Sequence, residues 1–249
     1  MKPSLVDILE PRLTVLDLDH RLKLARELVP GRIVFTTSFG IEDQLVTHSI
    51  FTQGLEIDIV TIDTGRLFPE TIDLWERTEA RYARRVTAVY PQAQPLEELV
   101  AEQGINGFYR SVENRKACCH VRKVEPLSRL LSGASAWVTG LRADQSQERG
   151  KVRLAELDAG HKLLKVNPLA DYTRDAIVAA VEEFSVPINE LHGRGFLSIG
   201  CAPCTRAVEP GEPERAGRWW WESEEKKECG LHVSETGELR RGPAPERPR

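Results

Sequence analysis

The sequence predicts an α/β protein: a parallel sheet covered by helices on both faces, followed by an irregular C-terminal segment. Three observations carry this. Short apolar, β-branched runs alternate with helix-like stretches over the first three-quarters of the chain. The loops after those runs are polar and contain glycine, as at the carboxyl ends of parallel strands. Beyond about residue 195 the alternation stops.

Taken in order, Ile33-Val34-Phe35-Thr36-Thr37 reads as a buried strand, Ser38-Phe39-Gly40 as a tight turn, and Glu42-Asp43 as the acidic start of a helix. Residues 57–62 form a second strand, leading into Asp63-Thr64-Gly65-Arg66. The next helix is expected to bury a stripe of Ile72, Trp75, Thr78 and Tyr82. Residues 85–90 and 136–139 give a third and a fourth strand. Helix signals over 113–124 place Cys118 and Cys119 on or near a helix, and Pro126 opens or bends the following turn. The end of the chain, 240–249, is proline-rich and basic and reads as disordered. Three regions result: a nucleotide-binding core over 1–194 that includes the Cys118-Cys119 pair, a segment over 195–232, and a disordered end over 233–249.

Bulk properties narrow the function. A chain of 249 residues with 41% hydrophobic residues can bury one sizeable core. No apolar run reaches the roughly 18–20 residues of a membrane span, and the start lacks a signal-peptide stretch, so the expected location is the cytoplasm. A net charge of -4 excludes a general nucleic-acid-binding surface, although a local basic pocket for a small anion remains open. The oligomeric state is open, a homo-oligomer among the options.

Five cysteines fall in three groups: Cys118-Cys119, Cys201-Ala202-Pro203-Cys204, and Cys229. In a reducing compartment such clusters point to metal binding or catalysis rather than disulfides. A CxxC suits zinc or an iron–sulfur centre. Adjacent side chains on a helix diverge by about 100°, which would strain a single tetrahedral zinc site. A larger [4Fe–4S] cubane accepts neighbouring thiolates at different corners, so the spacing favours the cluster. Zinc, or two buried core cysteines beside a lone CxxC, are the alternatives. Cys229 lies in Lys226-Lys227-Glu228-Cys229-Gly230-Leu231-His232, where flanking cations favour a reactive thiolate.

Ser38-Phe39-Gly40 offers a hydroxyl, a glycine and a helix N-terminus after a strand, an arrangement that suits an anion. The Gly-Lys-Ser/Thr ending of a P-loop is absent. Together with the loops at 63–66 and 140–146, it predicts one shared nucleotide site.

These stretches resemble the assimilatory adenylyl-sulfate (APS) reductases, relatives of the phosphoadenylyl-sulfate (PAPS) reductases. The matching residues are Ser38-Phe39-Gly40-Ile41-Glu42-Asp43-Gln44, Asp63-Thr64-Gly65-Arg66-Leu67-Phe68-Pro69-Glu70-Thr71 and Cys118-Cys119-His120-Val121-Arg122-Lys123. They continue in Gly140-Leu141-Arg142-Ala143-Asp144-Gln145-Ser146, Gly200-Cys201-Ala202-Pro203-Cys204-Thr205 and Glu228-Cys229-Gly230-Leu231-His232. The resemblance implies a Rossmann-like fold of the adenine nucleotide alpha-hydrolase kind and thioredoxin-dependent reduction of APS to sulfite and AMP in sulfate assimilation. It implies that Cys229 is the catalytic nucleophile, forming an S-sulfonate that thioredoxin resolves. It makes Cys118, Cys119, Cys201 and Cys204 ligands of a [4Fe–4S] cluster. The substrate residues it implies are Ser38, Phe39, Gly40, Asp63, Arg66, Lys123, Gly140, Arg142, Arg149, Arg215, Arg218 and His232. The basic members suit a phosphosulfate, whose adjacent charges need fixed cations. A PAPS or dual-substrate reductase is the near alternative; a non-enzymatic iron–sulfur regulator would leave the nucleotide loops unexplained. ATP-dependent thiolating or pyrophosphatase-type enzymes would carry a Ser-Gly-Gly-x-Asp-Ser loop, absent here.

Overall fold

The computed structural model describes residues 4–146 and 149–222. Two helices precede the sheet, α1 (Leu5–Leu13) and α2 (Leu18–Leu28). Ser4 caps α1 in a reciprocal box with Asp7, and Asp17 caps α2, each satisfying an N–H group the helix cannot. Then follow β1 (Ile33–Thr37), α3 (Ile41–Gln53), β2 (Asp58–Ile62), α4 (Pro69–Tyr82), β3 (Thr87–Val89) and α5 (Ala93–Gln103). The rest of the core is α6 (Val112–Cys119), a π-helical turn (His120–Val124), α7 (Glu125–Leu131), β4 (Ala136–Val138), β5 (Ala155–Asp158), β6 (Leu163–Val166) and α8 (Arg174–Glu183).

The six strands lie in the order β3-β2-β1-β4-β6-β5. All neighbours are parallel except the edge pair β5–β6, which is an antiparallel hairpin. Consecutive strand residues face opposite sides. Ile33 and Phe35 of β1 enter the core shared with α1, α2, α3, α4 and α8, while Val34 between them joins Leu127, Leu130 and Trp137 on the other face. Both faces are covered, which is why the central strands read as continuous apolar runs.

The chain departs from β1 in opposite directions to reach β2 and β4. The crevice beyond the carboxyl ends of β1 and β4 is therefore a topological switch point, where open α/β sheets bind ligands. No helix among the described residues is long and apolar enough to cross a membrane.

The stripe expected on α4 keeps Thr78 but is displaced by one residue at its first two positions. Thr71, Leu74 and Thr78 are the buried positions, whereas Ile72 is 42% exposed. Pro69 starts the helix and sets its phase, and Thr78 is fixed to α3 by a bond from Gln44 Nε2 (2.8 Å). Trp75 keeps a role at the edge, stacking on Phe39 at 5.7 Å.

Candidate active site

A cavity of about 220 Å³ opens at the switch point. Its floor comes from the ends of three strands, with Thr36 and Thr37 of β1, Thr61 and Ile62 of β2, and Trp137 and Thr139 at β4. Of the residues expected at the substrate site, Ser38, Phe39, Gly40 and Gly140 line it, together with Lys123, Arg149, Arg215 and Arg218. Phe39 holds a left-handed backbone (φ 58°) while its side chain is buried, a costly conformation of the kind found at functional sites.

The Ser38 loop does not present its donors to a ligand in the way expected. Its N–H (2.6 Å) and hydroxyl (2.8 Å) both donate to Asp43 Oδ2, and Gly40 N–H also bonds that carboxylate. Asp43 thus occupies the anion position at the start of α3. Burial pushes its pKa up to about 6, aided by Glu42, against the lowering by Ser38 and Gly40. Gly140 is required here, because a Cβ would collide with the Asp43 carboxylate.

Asp63, Arg66 and Arg142 are not on this cavity wall. The Asp63 carboxylate accepts from Gly65 N–H (2.8 Å) and closes its own turn, leaving Thr64 and Leu67 of that loop on the wall. Arg66 bonds the Ile105 carbonyl and Asn106 Oδ1 (3.2 Å), and faces the cysteines instead. Arg142 is fully buried behind the wall, with its guanidinium on Glu42 and Glu214. His232 and Cys229 lie outside the described residues.

The four remaining cysteines converge on a second, smaller cavity of about 20 Å³. Cys118 and Cys119 end α6, where the helix widens into the π turn, a distortion common at functional sites. Cys201 and Cys204 flank a single 3₁₀ turn, tied to the β2 loop by Ala202 N–H donating to the Arg66 carbonyl (2.8 Å). Beyond it the chain folds back: Trp219 N–H donates to the Cys204 carbonyl (3.1 Å), and Thr205 pairs with Arg218. Trp219, 1% exposed, packs against the cysteines, with the guanidinium groups of Arg115 and Arg218 each 4.8 Å from its ring. It is therefore packing for the C-terminal segment and part of both cavity walls as well.

The thiols differ in character. Burial raises the pKa of Cys118 and, with repulsion from Cys201, pushes Cys204 up to about 12. Cys201 is lowered: burial acts upward but is outweighed by Lys123, by the bond from Thr64 Oγ1 (3.3 Å) and by Arg218. No three His, Cys, Asp or Glu side chains among the described residues are grouped so as to hold a metal ion. The four thiols nonetheless share one cavity, whose other walls include Arg66, Arg115, Arg122, Lys123 and Arg218. That donor set is soft and sulfur-only, and its cationic surround offsets the charge of several thiolates. The enclosed space holds about one water-sized atom, so these side chains would have to spread to seat a cubane.

Cys201, Lys123, Arg218 and Trp219 line both cavities. Lys123 follows Cys119 by four residues, about one helical turn, the spacing in the sequence that signals this place. Sequence reasoning missed Asp43, Thr64, Glu214 and His192 on the larger wall. The His192 Nδ1 faces the Phe196 carbonyl (2.8 Å) while its Nε2 is buried without a partner.

Comparison with known proteins gives a consistent result. The family described as phosphoadenosine phosphosulfate reductase domain matches residues 32–207. An adenosine 5'-phosphosulfate reductase of Sinorhizobium fredii (strain NBRC 101917 / NGR234) is 55% identical over 227 residues, covering 91% of this chain and 90% of that protein. One of Agrobacterium fabrum is 54% identical, over 91% and 86%. Among solved structures, a phosphoadenylyl-sulfate reductase from Candida auris in a phosphate complex superposes with a TM-score of 0.71 at 27% identity, over 84% of this chain and 99% of that one. Yeast FAD synthetase, at 15% identity and a TM-score of 0.51, shares the fold.

Proposed function

This chain belongs to the phosphoadenosine phosphosulfate reductase family, and from that premise we propose that it reduces adenylyl sulfate to sulfite and AMP. The observation that carries the proposal is the common wall: a nucleotide-sized cavity at the switch point shares Lys123, Arg218 and Cys201 with a four-cysteine site. The relatives of comparable length carry the adenosine 5'-phosphosulfate reductase name, which favours the substrate without a 3'-phosphate.

In this reading the nucleotide lies over the ends of β1 and β4, and its phosphosulfate faces Lys123, Arg215 and Arg218, with Arg149 at the rim. Asp43 keeps the helix start closed to anions, so the charged end of the substrate goes to the basic wall. The Cys229 thiolate attacks the sulfonate sulfur, the sulfur–oxygen bond to AMP breaks, and an S-sulfocysteine remains. A thioredoxin thiolate then attacks Cys229 Sγ and releases sulfite; the second thioredoxin thiol resolves the mixed disulfide, leaving oxidised thioredoxin and a Cys229 thiolate. The fixed cations stabilise charge that builds on the leaving phosphate. His232 is read as a further substrate contact from the same tail.

Cys118, Cys119, Cys201 and Cys204 would hold a [4Fe–4S] cluster. Bound there, it supplies a polarisable charge beside Lys123 and Arg218. Functionally the chain divides into the core over 1–194, the CxxC and catalytic segment over 195–232, and an end over 233–249 with no role in the chemistry. The cytoplasm is the setting in which such thiols stay reduced.

The test is sulfite release by anaerobically purified protein from APS and from PAPS, each with reduced thioredoxin. The expected result is release from APS at much the higher kcat/KM, with Cys229→Ser releasing no AMP even in a single turnover. Release from PAPS alone, or turnover by the serine variant, would overturn the substrate or the nucleophile respectively.

A further inference from the structure

The wall of the larger cavity carries three carboxylates, Glu42, Asp43 and Glu214, in a site read above as one for a doubly charged anion. Acidic groups beside an anionic ligand repel it unless something neutralises them. Asp43 is answered by its own loop. Glu42 and Glu214 come from distant parts of the chain, the start of α3 and the segment after the CxxC, yet both end on one guanidinium.

That guanidinium belongs to Arg142, 0% exposed and off the cavity wall. Its Nε donates to Glu42 Oε1 (2.9 Å), its Nη2 to both Glu214 oxygens (2.8 and 3.1 Å), and its Nη1 to Asp144 (3.2 Å). Arg174 adds a second cation to Glu214 at 3.2 Å. The chain of contacts continues from Glu42 to Gln145 Nε2 (3.1 Å) and from Gln145 Oε1 to Arg149 Nη1 (2.5 Å). Arg149 is thus held from behind by one hub, through Glu42 and Gln145.

We propose that Arg142 is a positioning residue and buried counter-ion: together with Arg174 it neutralises Glu42 and Glu214 so that the acidic part of the wall tolerates an anionic nucleotide, and through Glu42 and Gln145 it holds Arg149 in place. The inference rests on the nucleotide reading given above and replaces direct substrate contact by Arg142 with action through its carboxylates. Burying a guanidinium is costly unless it is fully paired, and here its partners include both wall carboxylates, with Asp144 as the third.

A simple strut predicts something different from a counter-ion, and ligand charge separates the two. The experiment is direct titration of the whole protein with AMP and with uncharged adenosine, for wild type, Arg142→Gln, Arg142→Lys and Arg142→Gln combined with Glu214→Gln. Arg142→Gln should weaken AMP about tenfold or more while changing adenosine by less than about twofold. Adding Glu214→Gln should restore most of the lost AMP affinity, and Arg142→Lys should fall between. Equal losses for both ligands, or no recovery on removing the Glu214 charge, would reduce Arg142 to a strut and overturn the proposal. Should Arg142→Gln fail to fold, Glu214→Gln alone decides: with Arg142 intact it should tighten AMP and leave adenosine unchanged, and the reverse sinks the idea. If the wild type binds neither ligand, the nucleotide reading fails first.

Discussion

Replacing Asp43 with Asn isolates a single buried charge at the mouth of the nucleotide cavity. In the folded protein burial raises this carboxyl from its ordinary value of 3.8 to about 6, although Ser38 and Gly40 donate to it. The native state therefore binds a proton that the unfolded chain has already lost between those two values. Stability contributed by this group falls as pH rises from about 3.8 to about 6 and stays low above. At about 1.4 kcal/mol per pH unit, the gap amounts to about 3 kcal/mol at pH 7.5. An Asn of the same shape removes that cost and keeps one carbonyl oxygen for the two Ser38 donors, but the Gly40 contact is at risk. A net gain of about 1–3 kcal/mol follows. For a chain of this size that raises Tm by about 2–4 °C per kcal/mol. Thermal unfolding of both proteins at pH 4.5, 6 and 7.5 is the assay. The Asn variant should melt higher at pH 7.5, with the margin vanishing toward pH 4.5. A difference independent of pH, or one that grows on acidification, would refute the reasoning.

Two further outcomes are expected. Anaerobically purified protein should be brown with roughly four iron and four sulfide per chain, and Ser at any of Cys118, Cys119, Cys201 or Cys204 should remove most of both; one zinc without sulfide would show a different metal. Ala at Lys123, Arg215 or Arg218 should each cost about 2–4 kcal/mol of transition-state stabilisation, the scale of losing one electrostatic donor, read as kcat/KM; unchanged kinetics in all three would move the anion site elsewhere.

What the sequence disclosed follows a physical pattern. Ile33–Thr37 reads correctly to the residue because both its faces are buried, so its apolar run is continuous. The second and third strands are shorter than read: Ile57 before β2, and Val86 and Tyr90 around β3, extend the apolar or aromatic run but, like Arg85, lie outside the paired residues. Helices α1 and α2 escaped notice, although the Ser4–Asp7 box and Asp17 mark their starts. The hairpin β5–β6 was not legible, because an edge pair needs no helix between its strands and so breaks the alternation. At the site, cysteines and lysines at fixed spacing were readable because their chemistry is rare. Arg142 was not: a motif places an arginine in a loop, while the choice between ligand and hub depends on Glu214, 72 residues away.

On the proposed function, the shared wall gives the cysteine site a role that needs no electron transfer. Lys123 lowers the pKa of Cys201 and also lines the nucleotide cavity, so one ammonium feels charge on both sides. The π turn His120–Val124, directly after the cysteine pair, carries Lys123 to that position. Arg218 occupies the corresponding place from the other half of the site: it stacks near Trp219 and lines both cavities, and Gly200 beside it leaves room where a Cβ would collide with the guanidinium. In the proposed reading, a centre held by the four thiols would fix Lys123 and Arg218, which line both cavities. Because a preorganised charge costs no reorganisation when the reaction occurs, ordering Lys123 and Arg218 is by itself enough reason to build a nucleotide site against a cysteine site.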